Sequence, residues 1–257
     1  MRTRVLVQWL LRGWLLTAAV SSAAPLTIGA EDDWYPYSAL RNGVIEGYAV
    51  DLVRATYAAA GVELELVSLP YARCMALVDA GRLAGCFDTP RDRRIEDRYL
   101  WHSEPLFTAR SQVFARAGGA RAVRRVSELE GHRVAITNGY FYGDEFHFNK
   151  RIRQEVVNTD LIALRMLAAG RADYALVFEQ VARHLLQEHA TEFAGAFEAA
   201  GQLEEARIYL SFSKTHPQAA EALRQFNRGW AEIRRNGTQA RIARHWEGGG
   251  PVVPRRD

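Results

Sequence analysis

Residues 26–87 alternate short apolar runs with helically spaced ones, and the same plan returns over 133–178. Leu26-Thr27-Ile28 reads as a short strand. Leu52, Val53, Thr56, Tyr57 and Ala60 recur at helical spacing behind Asp51, the expected cap, and Gly61 ends that helix. Residues 62–67 alternate as a half-buried strand does, 72–80 form a helix stopped at Gly81, and 84–87 form a third strand. Strand, helix, strand, helix, strand predicts a parallel α/β sheet, and such sheets hold ligands at the carboxyl ends of their strands. Trp34, Tyr37 and Thr89 lie at such ends.

A strand over 112–116 then leads into Gly118-Gly119, and a second unit begins. It comprises a short helix at 127–129, a strand over 133–137 and a glycine- and tyrosine-rich loop, Asn138-Gly139-Tyr140-Phe141-Tyr142-Gly143. A helix over 161–169 follows, capped at Thr159 or Asp160, and then a strand over 173–178 with Glu179 just past its end. Two similar units predict two lobes with a cleft between them. A strand over 208–213 and helices over 218–235 and 238–246 close the chain, and Gly248-Gly249-Gly250 begins a frayed tail.

The first residues set the compartment. Met1-Arg2-Thr3-Arg4 is basic, 5–20 is mostly apolar, and Ser21-Ser22-Ala23-Ala24 is small, which is the pattern of a secretory signal peptide over 1–23. The alternative, an uncleaved anchor, is disfavoured because Gln8 and Arg12 interrupt a run that would need ~20 apolar residues. Removing Arg2, Arg4 and Arg12 with the leader leaves 30 basic against 30 acidic residues. The whole-chain pI of 9.0 therefore gives no support for nucleic-acid binding. Export also places the two cysteines, Cys74 and Cys86, in an oxidising compartment, where pairing is the expectation and a free buried pair the alternative.

No metal or cofactor is expected: the seven histidines show no ligand spacing, and none lies near either cysteine. Gly-x-Ser-x-Gly, P-loop and Gly-x-Gly-x-x-Gly motifs are absent from the sequence.

The stretch 70–91 concentrates the candidate chemistry. Thr89-Pro90 reads as a helix start whose free amides, with Arg91, Arg93 and Arg94 nearby, would receive a small anion. The plainer reading is an ordinary helix start with a solvated arginine face. Arg73, beside Cys74, either faces the cleft or anchors the loop. The aromatics of Trp34-Tyr35-Pro36-Tyr37 either line a site or cover the edge of the core.

Taken in order, several motifs resemble one family: Trp34-Tyr35-Pro36-Tyr37, Glu46-Gly47-Tyr48-Ala49-Val50-Asp51-Leu52, residues 85–91 leading to His102-Ser103-Glu104-Pro105-Leu106-Phe107, Leu129-Glu130-Gly131-His132-Arg133-Val134, Gly170-Arg171-Ala172-Asp173-Tyr174 and Phe226-Asn227-Arg228-Gly229-Trp230. Over nearly the whole mature chain the sequence resembles the bacterial extracellular solute-binding proteins, family 3, the periplasmic amino-acid-type receptors of ABC importers. The resemblance implies a periplasmic binding protein-like type II fold. Its two α/β lobes would be 26–115 with 208–247, and 116–207. Two hinge crossovers would join them near 114–118 and 206–210, and the lobes would close on a ligand. It also implies a monomer without cofactor and a permease partner in the inner membrane.

The resemblance implies that Tyr37, with Trp34 nearby, packs on the ligand, that Thr89 and one arginine among Arg91, Arg93 and Arg94 bind its carboxylate, and that Glu179 takes its amino group; Arg73, Asp88, Thr137, Gly139 and Tyr140 complete the expected ligand set. Three departures from the family stand out. Thr-Pro-Glu-Arg is replaced by Thr89-Pro90-Arg91-Asp92-Arg93, Glu179 lies one position after the usual aspartate, and Tyr140 and Phe141 follow Gly139 where small hydroxyl residues are usual. The expected function is capture of a small amino-acid-like solute for an ABC importer. The alternatives are a cyclohexadienyl dehydratase-like enzyme with Glu179 as general acid, or a ligand-sensing partner of a membrane receptor.

Overall fold

A computed structural model describes residues 25–119 and 121–247; the expected signal peptide and the expected tail lie outside the described residues. The first half runs β1 (Leu26–Glu31), β2 (Asp33–Trp34), β3 (Ser38–Arg41), β4 (Val44–Glu46), α1 (Tyr48–Ala59), β5 (Leu64–Leu69), α2 (Tyr71–Asp79) and β6 (Gly85–Pro90). β7 (Leu100–Trp101) and β8 (Phe107–Arg116) lead into the second unit. That unit comprises β9 (Arg133–Thr137), α3 (Asp144–Phe148), β10 (Arg153–Val157), α4 (Asp160–Ala168), β11 (Tyr174–Phe178) and α5 (Glu179–Glu188). β12 (Phe197–Phe212) returns to the first half, and α6 (Ala219–Arg235) and α7 (Thr238–Glu247) pack there.

Strands run in the order β10-β9-β11-β8-β12-β6-β1-β5, with β7 beside β12, while β2, β3 and β4 form a separate small sheet. β1 is parallel to β5 and β6, and β9 is parallel to β10 and β11. The long strands β8 and β12 lie between these two parallel groups and pair antiparallel with each other from Phe107↔Ile208 to Arg116↔Phe197. The architecture is the two-lobed type II binding-protein fold, and the two passages between the parallel groups form one hydrogen-bonded ribbon.

One core cluster, around Ile28, Val53, Phe87, Phe212 and Phe226, fills the first group. A second, around Leu129, Ile136, Leu164 and Leu176, also takes in Trp34, Tyr37 and Tyr71 from the first half of the chain. Burial of each such side chain contributes roughly 1.5–3 kcal/mol. The cleft is therefore closed, with aromatic side chains of one half packed into the core of the other.

Two local expectations are corrected. α1 starts at Tyr48 behind Gly47, one turn before Asp51, and the Asp51 carboxylate accepts from Trp246 Nε1 at 3.0 Å instead of capping the helix. No helix starts at Thr89-Pro90: these residues end β6, pairing with Tyr209 and Ile208. Beyond them Asp92 organises a turn, its carboxylate accepting from the Arg94 amide at 2.7 Å. Sheet pairing decides the matter, because Thr89 is fully buried between strands. Its hydroxyl donates to the Cys86 carbonyl at 3.1 Å, so it caps nothing.

Cys74 and Cys86 form a disulfide that ties α2 to β6. Closing this short loop contributes about 3 kcal/mol in the chain-entropy model. Gly29 in β1 makes room for it: a Cβ there would stand 2.2 Å from Cys74 Sγ.

Candidate functional site

The carboxyl ends of β1, β5, β6, β9 and β11 converge between the two parallel groups. Each end delivers a side chain or loop: Glu31 from β1, Tyr71 just after β5, Asp88 from β6, Tyr140 just after β9, and Phe178 from β11. Together with Trp34 these residues enclose a cavity of about 10 Å³, the space of about one water. Trp34 meets Phe178 edge-on at 5.1 Å and Tyr140 at 6.2 Å, and Tyr71 meets Tyr140 at 5.9 Å between ring centres.

Asp88 owes its position to a bulge. Cys86 pairs with Ser211 and Thr89 with Tyr209, so Phe87 and Asp88 together stand opposite the single residue Leu210. Asp88 takes a left-handed backbone, φ 64°, which aspartate tolerates better than most residues. Asp88 is 4% exposed, and neither of its buried carboxyl oxygens has a hydrogen-bond partner among the described residues. The Ser38 hydroxyl beside it commits its proton to the Glu31 carbonyl at 2.6 Å. Burial pushes the Asp88 carboxyl well above the usual aspartate range.

Glu31 is buried and accepts from the Tyr140 hydroxyl. Burial, followed by the charge of Asp88, raises its pKa well above the glutamate range. Behind Tyr140 lies Asp160, 2% exposed, whose Oδ1 accepts from the Thr137 hydroxyl at 2.5 Å. Burial pushes its pKa up to about 7. Three buried carboxyls thus stand in or behind the cleft, and no lysine, arginine or histidine lines the cavity among the described residues.

The arginines of the organising stretch lie at the rim. Arg91 is exposed, over the Trp101 ring. Arg93 pairs with Asp144 of the opposite half. Arg94 grips Asp92 through Nε at 2.9 Å and Nη2 at 2.7 Å, and lies over Phe141 of the opposite half. Arg73 is exposed.

The cavity brings together Trp34, Asp88 and Tyr140 from the expected set. Tyr37 and Glu179 border a different opening, about 490 Å³, with Tyr48, Phe107 and Trp246. Glu179 pairs there with Arg183 at 3.1 Å. Thr89 and Thr137 support the cavity walls from behind through their hydroxyls. Gly139 takes φ 82°, and a Cβ there would meet Tyr71 Cδ1 of the opposite half at 3.3 Å.

Sequence reasoning missed Glu31, Tyr71, Asp160 and Phe178 as site residues. Glu31 and Phe178 carry a readable signal, since each is the last residue of a strand in a parallel group. Asp160 is legible only as a helix-start residue, and its depth behind the cleft comes from tertiary packing.

The fold is that of a two-lobed binding protein, and the sequence assigns the family: residues 26–249 match the bacterial extracellular solute-binding proteins, family 3, and the chain belongs to that family. A protein of Vibrio harveyi, PatH, described as an amino-acid ABC transporter-binding protein, is 22% identical over 91% of this chain and 93% of its own. Among solved structures, a histidine kinase sensor domain similar to periplasmic binding proteins superposes with a TM-score of 0.76 at 22% identity, over 86% of this chain and 95% of that one. The arginine-, lysine-, histidine-binding protein ArtJ of Geobacillus stearothermophilus gives 0.74 at 18% identity, over 89% and 97%. At these identities the structural likenesses establish the fold.

Proposed function

We propose that the exported protein captures a small amino-acid-like solute in the periplasm and delivers it to the inner-membrane permease of an ABC importer. The observation that carries this reading is Asp88: a buried carboxylate without a partner, aimed into an aromatic cavity between the lobes. A group of that kind is stabilised when a solute brings the missing donor. The name of the Vibrio harveyi relative supports the amino-acid class and the importer partner. On this reading Trp34, Tyr71 and Tyr140 pack against the solute, Glu31 and Asp88 receive its amine, and the lobes 26–115 with 208–247 and 116–207 part to admit it. The dehydratase reading gains nothing from the geometry, because Glu179 is held by Arg183 beside another opening.

A thermal-shift screen of the mature protein against amino acids, amines and aromatic acids tests this. A solute at a thousand times its dissociation constant stabilises the folded state by about 4 kcal/mol, a shift on the order of 10 °C at this size. The expected outcome is a shift confined to one chemical class and lost in Trp34→Ala. A screen without a shift from any class would end the receptor reading.

A further inference from the structure

Resting on the receptor reading, we propose that the solute is an organic cation, an amine or guanidine on an apolar body, without a free carboxylate. The same cavity that gives the receptor reading also restricts what enters it.

An α-amino acid is a zwitterion, so a dry site that holds it needs acceptors for the ammonium and a cation or converging donors for the carboxylate. The acceptors line the cavity, and no cation does. Glu31 and Asp88 line the cavity, and the rest of its wall is apolar or aromatic, chiefly Trp34, Tyr71, Tyr140 and Phe178. Each arginine near enough in sequence to supply the base is held outside. Arg94 is chelated by Asp92, Arg93 reaches Asp144, and Arg91 and Arg73 face solvent. Phe178 reinforces this: it faces the cavity, while the neighbouring Glu179 pairs with Arg183 elsewhere. A carboxylate brought into this space would meet two carboxyls and no cation. An ammonium or guanidinium would meet two acceptors and the faces of aromatic rings, which attract cations most strongly where water is excluded. The bulge that turns Asp88 inward makes this a built arrangement: one extra residue in β6 places an acid where a regular strand would continue its ladder.

Matched pairs that differ only in the carboxylate test the proposal: agmatine against arginine, cadaverine against lysine, tyramine against tyrosine, each titrated calorimetrically into the mature protein. In at least one pair the decarboxylated member binds tighter, by about tenfold or more, because a carboxylate buried where no cation meets it carries its desolvation cost uncompensated. Asp88→Asn, shown folded by circular dichroism, loses about a hundredfold of that affinity. Glu31→Gln serves in its place should the first variant not fold. Tighter binding of the amino acid in every pair that binds would overturn the proposal and leave the receptor reading standing. Undiminished cation affinity in a folded Asp88→Asn protein would overturn it as well. Should no member of any pair bind, the cation proposal falls; a shift from a neutral or anionic solute in the earlier screen then keeps the receptor reading, and none removes both.

Discussion

Asp160 has one oxygen on the Thr137 hydroxyl and the other without a hydrogen-bond partner, and its pKa of about 7 stands far above the ordinary aspartate value of 3.8. Between about pH 4 and 7 the folded state therefore keeps a proton that the unfolded chain has lost. The stabilisation is complete below pH 4 and declines as pH rises to about 7. Glu31 and Asp88, also raised by burial, tilt the profile the same way. Asp160→Asn is expected to remove its own share of that slope, on the order of 2–4 kcal/mol, seen as converging denaturant midpoints at pH 5 and pH 7.5. An unchanged slope would place the proton elsewhere. Glu31 and Asp160, unlike Asp88, were hard to recognise in sequence because aspartate at a helix start and glutamate at a strand end are common on surfaces. Only tertiary packing takes them out of water.

β12 shows how one strand answers to several neighbours at once. Its bulge against β6 takes the Leu210 amide out of the ladder, and that amide donates to His102 Nε2 at 3.0 Å. His102 is 1% exposed, neutral, and pushed down to about 4 by burial. Its folded pKa lies below the ordinary 6.5, so its stabilisation is present above pH 6.5 and is lost as pH falls through about 4. His102→Leu leaves a buried amide without an acceptor and is expected to cost about 1–3 kcal/mol near neutral pH. The difference from the wild type should shrink as unfolding is measured nearer pH 4. At this scale the sequence was informative where an element answers to its own period. β9 spans the expected 133–137, and α4 is capped by Thr159, whose hydroxyl oxygen accepts from the Ile162 amide at 3.2 Å. It misled at Thr89-Pro90, where local capping signals were overruled by pairing with a strand more than a hundred residues away. The first residues of β12, 197–207, were unread for the same reason, since they take their conformation from β8.

Across the whole molecule, closure rests on close approach between parts distant in the chain. Gly139 comes against Tyr71 and Ala72 at the start of α2, and Arg93 reaches Asp144. The exposed ion pair contributes at most about 1 kcal/mol, so shape governs the fit. Gly139→Asn tests this, because asparagine accepts the left-handed backbone while its side chain fills the space Tyr71 needs. Solute affinity is expected to fall roughly tenfold with little change in the unfolding of the solute-free protein, and solution scattering should show a larger radius of gyration with solute present. Equal affinity and an equal radius would mean that the two halves meet without needing this contact. Two repeated α/β units were readable from spacing alone. Which aromatic side chains cross from one unit into the core of the other was not, because that depends on the lobes meeting.

The two passages between the lobes are one antiparallel ribbon, β8 against β12. Paired strands cannot lengthen, shorten or slide past one another without breaking their ladder, but they twist and bend together at little cost. Any movement that opens the cleft would then be a twist or bend of that one ribbon. A membrane partner touching both lobes would read occupancy of a cavity it never contacts as the set of one stiff joint.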